Sequence, residues 1–431
     1  MSEIYVFIDL SGKTHRVGTL RVIAKGMRTS STFQYDDKWL VSSERISLEP
    51  ALMVSKGIFT PPVGREMFSS IGDSAPDTWG RRLMQKRERR AAKNEGRTVR
   101  TLTEADYLLG VADVARLGAL RFRRSGDIEF QCPLEKSRTI PPLVELPRLL
   151  SVTEKVLRNE ETEDDLLLLF APGSSLGGVR PKSSVINRQD QLLIAKFPKE
   201  DDDYNVGAWE EVALTLANMA GITVAEHAIE RIVDKTVLLS KRFDRNQSGR
   251  RIPFLSAMAM LGMKDGDRGS YPELVDGVRT HGSDVDADVI ELYRRMVFNI
   301  LSSNVDDHLR NHGFLWSGEL GWRLSPAYDL NPVPADVRPH ILSTNISLDE
   351  GTCSIELARE TAEYFNLSLE VADTIISEVA QAVSNWRKVA ASVNLKPSEI
   401  ERMESAFEHD ELTAARKRSL PRKQTKCKKT P

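Results

Sequence analysis

Cysteine is nearly missing from this chain: three in 431 residues, Cys132, Cys353 and Cys427. They are far apart and form no CxxC pair, so neither a disulfide framework nor a structural zinc site is expected, and a reducing compartment fits best. Long apolar runs are missing too. No segment approaches the roughly 20 apolar residues of a membrane span. The opening stretch, MSEIYVFIDLSGKTHRVG, carries Glu3 and Asp9 and lacks the unbroken apolar core of a signal peptide. The expected location is cytoplasmic, with no membrane partner. Net charge is small, −2 at pH 7, so no global field selects nucleic acid or membrane. No internal repeat is visible. What remains is an ordinary globular composition, 40% hydrophobic and 28% charged. The chain is long enough for two or three packed units.

Residues 1–60 read as short strands. IYVFIDL and THRVGTLRVIAK flank the turn Ser11-Gly12-Lys13, and TSSTFQYDDKWLVS is a further alternating run. A basic helical run, RRLMQKRERRAAKNEG, follows. A solvated helix face is favoured there over a surface for an acidic partner. Thr103 and Asp106 frame LTEADYLLGVADVARLGALRF, helical to about Val111 and turning at Gly118 into a short strand. SGDIEFQCPLEKSRTIPP has loop composition and carries the main boundary. LVELPRLLSVTEKVLRNEETEDDLLLLF suits one or two helices, broken by the acidic stretch Glu160–Asp165. Residues 253–300 read as mostly helical, ending in the amphipathic ADVIELYRRMVFNILSSN, and Leu357–Glu408 is helical again. The tail carries Arg416–Arg418, Arg422, Lys423, Lys426, Lys428 and Lys429, with no acid after Glu411. It reads as disordered, touching nucleic acid or nothing.

Asn299–Pro332 holds the chemistry. NVDDHLRN and SPAYDL are two acidic sites, and HGFLW and GWRL between them, joined by Ser317–Leu320, read as a β-hairpin. Such a hairpin brings an Asp/Asn loop beside a second Asp, which suits holding Mg²⁺ and orienting a hydroxyl nucleophile. Upstream, PGSSLGGVRPKSSV is a Gly/Ser loop running into a strand, and QLLIAKFP is a second strand with Lys196 near its end. A Gly-rich turn can cradle phosphate oxygens with backbone N–H groups, and a strand lysine can neutralise their charge. The loop is not a Walker A motif, because Val179 follows Gly178 and the lysine arrives only at 182. NVGAWEEVALTLANMAGI reads as a helix ended by Gly221, with Glu210 or Glu211 available to Lys196. Strands VAEHAIERIV and KTVLLSKRFDR come next. Singly, Asp306, Asn311 and Asp329 are ordinary turn residues. In this order the parts are those of a protein-kinase-type phosphotransferase.

Through GSSLGGVRPKS, LLIAKFP, WEEVALTLANMAGI, SKRFDR, NVDDHLRNHGFLW and LSPAYDLNP, the chain resembles the HipA-like serine/threonine kinases, toxins of bacterial toxin–antitoxin systems. SIGDSAPDTWGRRLM and GVADVARLGALRF resemble the amino-terminal region of longer family members. The resemblance implies an α+β, bilobal protein-kinase-like fold with a small β-rich amino-terminal subdomain and a largely helical carboxy-terminal lobe. The implied division is 1–125, a nucleotide lobe over 126–250, a helical lobe over 251–412 and a basic tail over 413–431.

It also implies ATP and Mg²⁺ as cofactors. Asp306 would be the catalytic base, Asn311 and Asp329 metal ligands, and Lys196 an ATP-phosphate contact supported by Glu210. Ser174, Ser175, Gly177 and Gly178 would line the nucleotide. Lys241, Arg242 and Phe243 would form the adenine hinge through backbone groups, and His308 would brace the loop beside ATP. Ser175, with Ser174 as the alternative, would be autophosphorylated, adding roughly −2 charge and inactivating the kinase. Implied partners are a small helix-turn-helix HipB-like antitoxin, DNA indirectly through it, and a protein substrate of the aminoacyl-tRNA synthetase class. Asp307 stands where glycine is common in the family, and an extra carboxylate there is expected to perturb a neighbour or join the metal shell. The rival readings are a catalytically silent, antitoxin-bound DNA corepressor and a kinase of a small molecule or lipid.

Overall fold

The structure is a computed structural model and describes residues 2–25, 28–131, 140–170, 178–318 and 321–418. Ser174, Ser175, Gly177 and the tail beyond Arg418, all assigned expectations above, lie outside these residues, as do Cys132 and Cys427. The start of the tail read as disordered, through Arg416–Arg418, is instead the end of a helix, Asp410–Arg418, that buries Leu412 and Ala415.

Alternation builds the first sheet. In β1 (Ser2–Leu10), Ile4, Val6, Ile8 and Leu10 are buried while their neighbours are not. β1 joins β2 (Lys13–Lys25), β3 (Arg28–Tyr35) and β4 (Leu120–Arg124) in an antiparallel sheet of order β3-β2-β1-β4. The alternation expected to continue through Trp39 stops at Tyr35. There Asp36 accepts from the Lys38 amide at 3.0 Å and starts the short helix Asp37–Leu40, which buries Trp39.

Helix Thr78–Asn94, capped by Asp77, leaves this sheet and packs elsewhere. Its Trp79, Leu83 and Met84 share a core with Leu149 and Val156 and with the inner faces of a second sheet. Only part of its basic run is a solvated face: Lys86 is buried against Glu161 at 3.2 Å, and Glu88 is buried against Arg97 at 2.5 Å. Helices Leu146–Arg158 and Glu163–Phe170 are separated at the start of the acidic stretch, while Glu163, Asp164 and Asp165 form the first turn of the second helix.

The second sheet holds β5 (Lys182–Ile186), β6 (Leu192–Lys196), β7 (His227–Ile232) and β8 (Lys235–Lys241) in the antiparallel order β5-β6-β8-β7. Helix Val206–Met219, capped by Asn205, packs against β8, and Gly221 (φ +79°) ends it.

A third sheet, order β11-β10-β9, contains the expected hairpin β10 (Gly313–Trp316) and β11 (Trp322–Leu324). Its outer strand β9 (Phe254–Ser256) falls in the stretch read as helical. It is three residues long and exists through pairing with β10, a partner remote in sequence. Helices Tyr271–His281, Val285–Leu301 and Leu369–Val383 complete the largest core, which also takes in Trp209.

A buried polar strap binds the amino-terminal unit to the end of β8. Arg242 donates to Asp244 and to the carbonyls of Ala115 and Arg116, at 2.5–3.1 Å. The Gly118 amide donates to Asp244 Oδ2 at 2.7 Å. Gly118 has φ +72°, and a Cβ there would lie 3.1 Å from the Phe254 amide nitrogen. Gly118→Ala therefore combines left-handed backbone strain with a contact to rigid backbone. It is expected to cost about 1–3 kcal/mol, read as a lower urea midpoint.

Candidate functional site

Lys196 ends β6 and is held between two carboxylates from different parts of the chain. Its Nζ lies 2.6 Å from Glu210 Oε1, on helix Val206–Met219, and 2.6 Å from Asp329 Oδ1, on the loop after β11. Burial disfavours the ammonium, but Asp329 and Glu210 outweigh it and hold the lysine pKa above its ordinary value. Burial also works against the Asp329 carboxylate, yet Lys196 and Lys182 keep its pKa below the usual range. Glu210 is pushed up by burial, with Lys196 pulling the other way. Glu211, the alternative partner, turns away to His227 at 2.8 Å. Asp329 has φ +58°, a left-handed conformation that Asp tolerates better than most residues.

A second lysine, missed from the sequence, belongs to the cluster. Lys182 on β5 is the cross-strand partner of Lys196. Like charges facing across strands are unfavourable, so two lysines in this register need compensating acids. Lys182 finds Asp77, from the amino-terminal unit, at 3.0 Å, with both side chains almost fully buried. Gly178 (φ +97°) closes the corner: a Cβ on it would sit 3.1 Å from Lys182 Nζ and 3.8 Å from Asp329 Oδ2. The signal available in the sequence was two lysines at matching positions of adjacent short strands.

The loop 304–311 follows helix Val285–Leu301. Asp306 is half-exposed and its Oδ1 pairs with Arg338 at 3.0 Å. Asn311 is buried. Its Nδ2 donates to the Asp306 carbonyl at 2.9 Å, while its Oδ1 has no hydrogen-bond partner among the described residues. Asn311 lines a small pocket together with Asp307, Tyr328 and Leu330, the last two being the neighbours of Asp329. A buried acceptor without a donor beside a carboxylate loop suits a hard cation. Mg²⁺ is commonly held by one or two carboxylates completed by water and phosphate. No cluster of three or more His, Cys, Asp or Glu side chains suited to a metal occurs among the described residues.

Asp307 lines the same pocket, but its carboxylate is engaged by protein donors. Its carboxylate points into the helical lobe, accepting from Tyr271 Oη at 2.9 Å, Asn299 Nδ2 at 3.4 Å and the Thr344 amide at 3.2 Å. Burial raises its pKa to about 8. It anchors the loop, and the expectation of a metal role is corrected by this orientation. A polar chain continues to Asp329: Asn304 bonds Asn299 and the Asn331 amide, and Asn331 Nδ2 reaches Asp329 Oδ1 at 3.2 Å.

Beside the cluster lies a cavity of about 770 Å³ whose walls include Leu117, Gly178, Phe254, His308 and Tyr328. Leu117, Ile194, Phe243 and Phe254 form an apolar group at its side, and the Phe243 ring lies 5.4 Å from that of Tyr328. His308 Nδ1 is buried without a hydrogen bond among the described residues. Lys241 turns its ammonium to Glu226 at 2.8 Å, and the Lys241 and Arg242 amides bond the Glu226 and Leu192 carbonyls. Of the expected hinge, Phe243 is thus the side chain that reaches the cavity's apolar wall.

The arrangement is that of a bilobal α+β fold of the protein-kinase-like class, in which a sheet lobe and a helical lobe share one charged cleft. Residues 174–386 match the HipA-like C-terminal domain family. A chain of the Shewanella oneidensis MR-1 complex of HipA, HipB and operator DNA superposes with a TM-score of 0.62, covering 97% of this chain and 96% of that one. Identity is 17%, so this likeness is one of fold. Over 214 residues the chain is 26% identical to the Sinorhizobium fredii (strain NBRC 101917 / NGR234) protein named "Putative kinase Y4dM", covering 46% of this chain and 51% of that protein. The chain spans about half the length of this curated relative. No helix among the described residues is long and apolar enough to cross a membrane.

Proposed function

We propose that the protein is an ATP- and Mg²⁺-dependent serine/threonine protein kinase of HipA type. The observation that carries this reading is the sharing of Lys196 between Glu210 and Asp329 at 2.6 Å each. This joins the sheet lobe to the helical lobe where phosphates would be neutralised. In this reading Lys196 and Lys182 meet the nucleotide phosphates, and Gly177 and Gly178 let the backbone approach them. Leu117, Ile194, Phe243, Phe254 and Tyr328 enclose the base, with the Lys241 carbonyl and the Phe243 amide as its hinge. Asn311 Oδ1 and Asp329 hold Mg²⁺, which when bound neutralises the charge developing on the phosphoryl oxygens. Asp306, half-exposed two residues before the cavity-lining His308, accepts the proton of the acceptor hydroxyl. His308 and Asp307 fix the loop.

The family resemblance extends the reading to a cytoplasmic toxin with a protein substrate of the aminoacyl-tRNA synthetase class. Its partner would be a HipB-like helix-turn-helix antitoxin linking it to DNA. Ser175, or Ser174 beside it, would be the autophosphorylation site that inactivates the kinase. Incubation with ATP and Mg²⁺, followed by mass spectrometry, tests the core of the proposal. Phosphate on Ser174 or Ser175 is expected for the wild type and is expected to vanish in Asp306→Asn. Failure to bind nucleotide would sink the kinase reading. Induction in cells separates toxicity from chemistry: equal growth arrest by wild type and Asp306→Asn would exclude toxicity through phosphotransfer.

A further inference from the structure

Arg338 has no part in the site as described so far, yet it touches the proposed base. Its guanidinium lies 3.0 Å from Asp306 Oδ1, and both side chains are about half exposed. As a stabilising contact it means little, since exposed ion pairs contribute about 0–1 kcal/mol. The segment that presents it is nevertheless fastened on both sides. Before Arg338, Asp336 takes a two-pronged contact from Arg402 at 2.9 and 3.0 Å. After it, the His340 ring bonds the Ile300 carbonyl at 3.0 Å, and Ser343 donates to the Val305 carbonyl at 2.9 Å. Ile300 and Val305 belong to the helix and loop that carry Asp306, so base and guanidinium ride on one frame.

The neighbouring cations face elsewhere. Lys196 and Lys182 are held by Glu210, Asp329 and Asp77 on the nucleotide side. Arg310, in the same loop as Asp306, is turned out to Asp265 at 2.6 Å. Arg338 therefore brings positive charge to the base from the helical lobe, where both side chains are open to solvent.

We propose that Arg338 is a catalytic cation bridging Asp306 and the phosphoryl group in transit. This rests on the kinase reading above. The acceptor oxygen forms a bond to the γ-phosphorus as the bond from that phosphorus to the β,γ-bridging oxygen breaks, releasing ADP. The acceptor proton passes to Asp306, and Arg338 keeps its protons. Negative charge spreads over the equatorial phosphoryl oxygens during this passage. A planar guanidinium has enough donors to hold a base oxygen with one N–H and a phosphoryl oxygen with another.

The test compares full-length wild type, Arg338→Ala and Arg338→Lys for MgATP turnover and for binding of a fluorescent ATP analogue. An arginine on the transferring phosphoryl is worth about 10³–10⁵-fold in buried settings, so a half-exposed one is expected to supply roughly 10–100-fold. Arg338→Ala should lose that factor in kcat and bind nucleotide within about twofold of wild type, and Arg338→Lys should recover part of the rate. Unchanged turnover overturns the proposal. Faster turnover also overturns it, because Arg338 would then be a cover over the base. An equal loss of nucleotide affinity would make its role merely structural. If the wild type itself turns nothing over, it is the kinase reading that fails. Thermal melting of each variant checks that it remains folded.

Discussion

Asp329→Asn is expected to abolish phosphotransfer while leaving the fold intact. Asparagine tolerates the left-handed backbone at this position at least as well as aspartate, so the loop keeps its path. The lost charge acts twice. The proposed metal loses its carboxylate ligand, leaving Asn311 as a neutral one. Lys196 loses one of its two partners and falls to Glu210 alone. Losing one preorganised group at a developing charge typically costs 10²–10³-fold, and losing the metal's anionic ligand adds to this. A fall of about 10³-fold or more is therefore expected. Transfer of label from γ-labelled ATP, measured at saturating Mg²⁺, reads it. A variant retaining a tenth of wild-type activity would remove Asp329 from the metal site.

The second large effect is on stability. Asp244→Ala strips the carboxylate from under Arg242 and Arg245 and from the Gly118 amide. Arg242 is completely buried and would be left with carbonyl partners only. Removing one member of a buried ion pair costs about 3–5 kcal/mol, a large part of a typical folding free energy. Urea unfolding should show it directly. The pH dependence has a definite sign. Burial opposes the Asp244 carboxylate, but Arg242 and Arg245 outweigh it and hold its pKa below the ordinary range. A depressed folded-state pKa means that the stabilisation is complete above the unfolded value, about 4. It is lost as pH falls from there toward the folded value. The wild type should therefore lose its advantage over Asp244→Ala progressively on acidification below about pH 4. A constant difference across that range would show that Asp244 contributes little as a charge.

Much of this site was legible in the sequence because its parts are local. Lys196 before a turn and helix, Glu210 in that helix, and Asp306 and Asn311 in one loop each follow from short-range patterning. The order of those parts pointed to a protein-kinase-type phosphotransferase, and the family resemblance supplied the fold class. Direction was harder to read. Asp306 and Asp307 are chain neighbours, and composition treats them alike. The backbone aims one at Arg338 and the other into the bonds from Tyr271 and Thr344. Partners remote in sequence were harder still. Nothing near Lys182 announces that Asp77 will neutralise it, and nothing near Phe254 announces that its short strand will pair with Gly313–Leu315. Basic composition likewise suggested a solvated face for Thr78–Asn94, although Lys86 is buried with a partner from beyond residue 150.

The contacts of Asp77 with Lys182, of Gly118 with Asp244 and of Leu117 with Ile194 all cross the division near residue 125. They bear on heredity as well as on chemistry. The matched family domain covers 174–386, yet two of its buried charges are neutralised or bonded by residues encoded well upstream. A recombination that carried only the matched domain into another gene would strand Lys182 without Asp77 and open one wall of the proposed base pocket. The amino-terminal unit is therefore bound to travel with the lobes it completes, and drift at Asp77 or Gly118 should be constrained by the charges and backbone they serve.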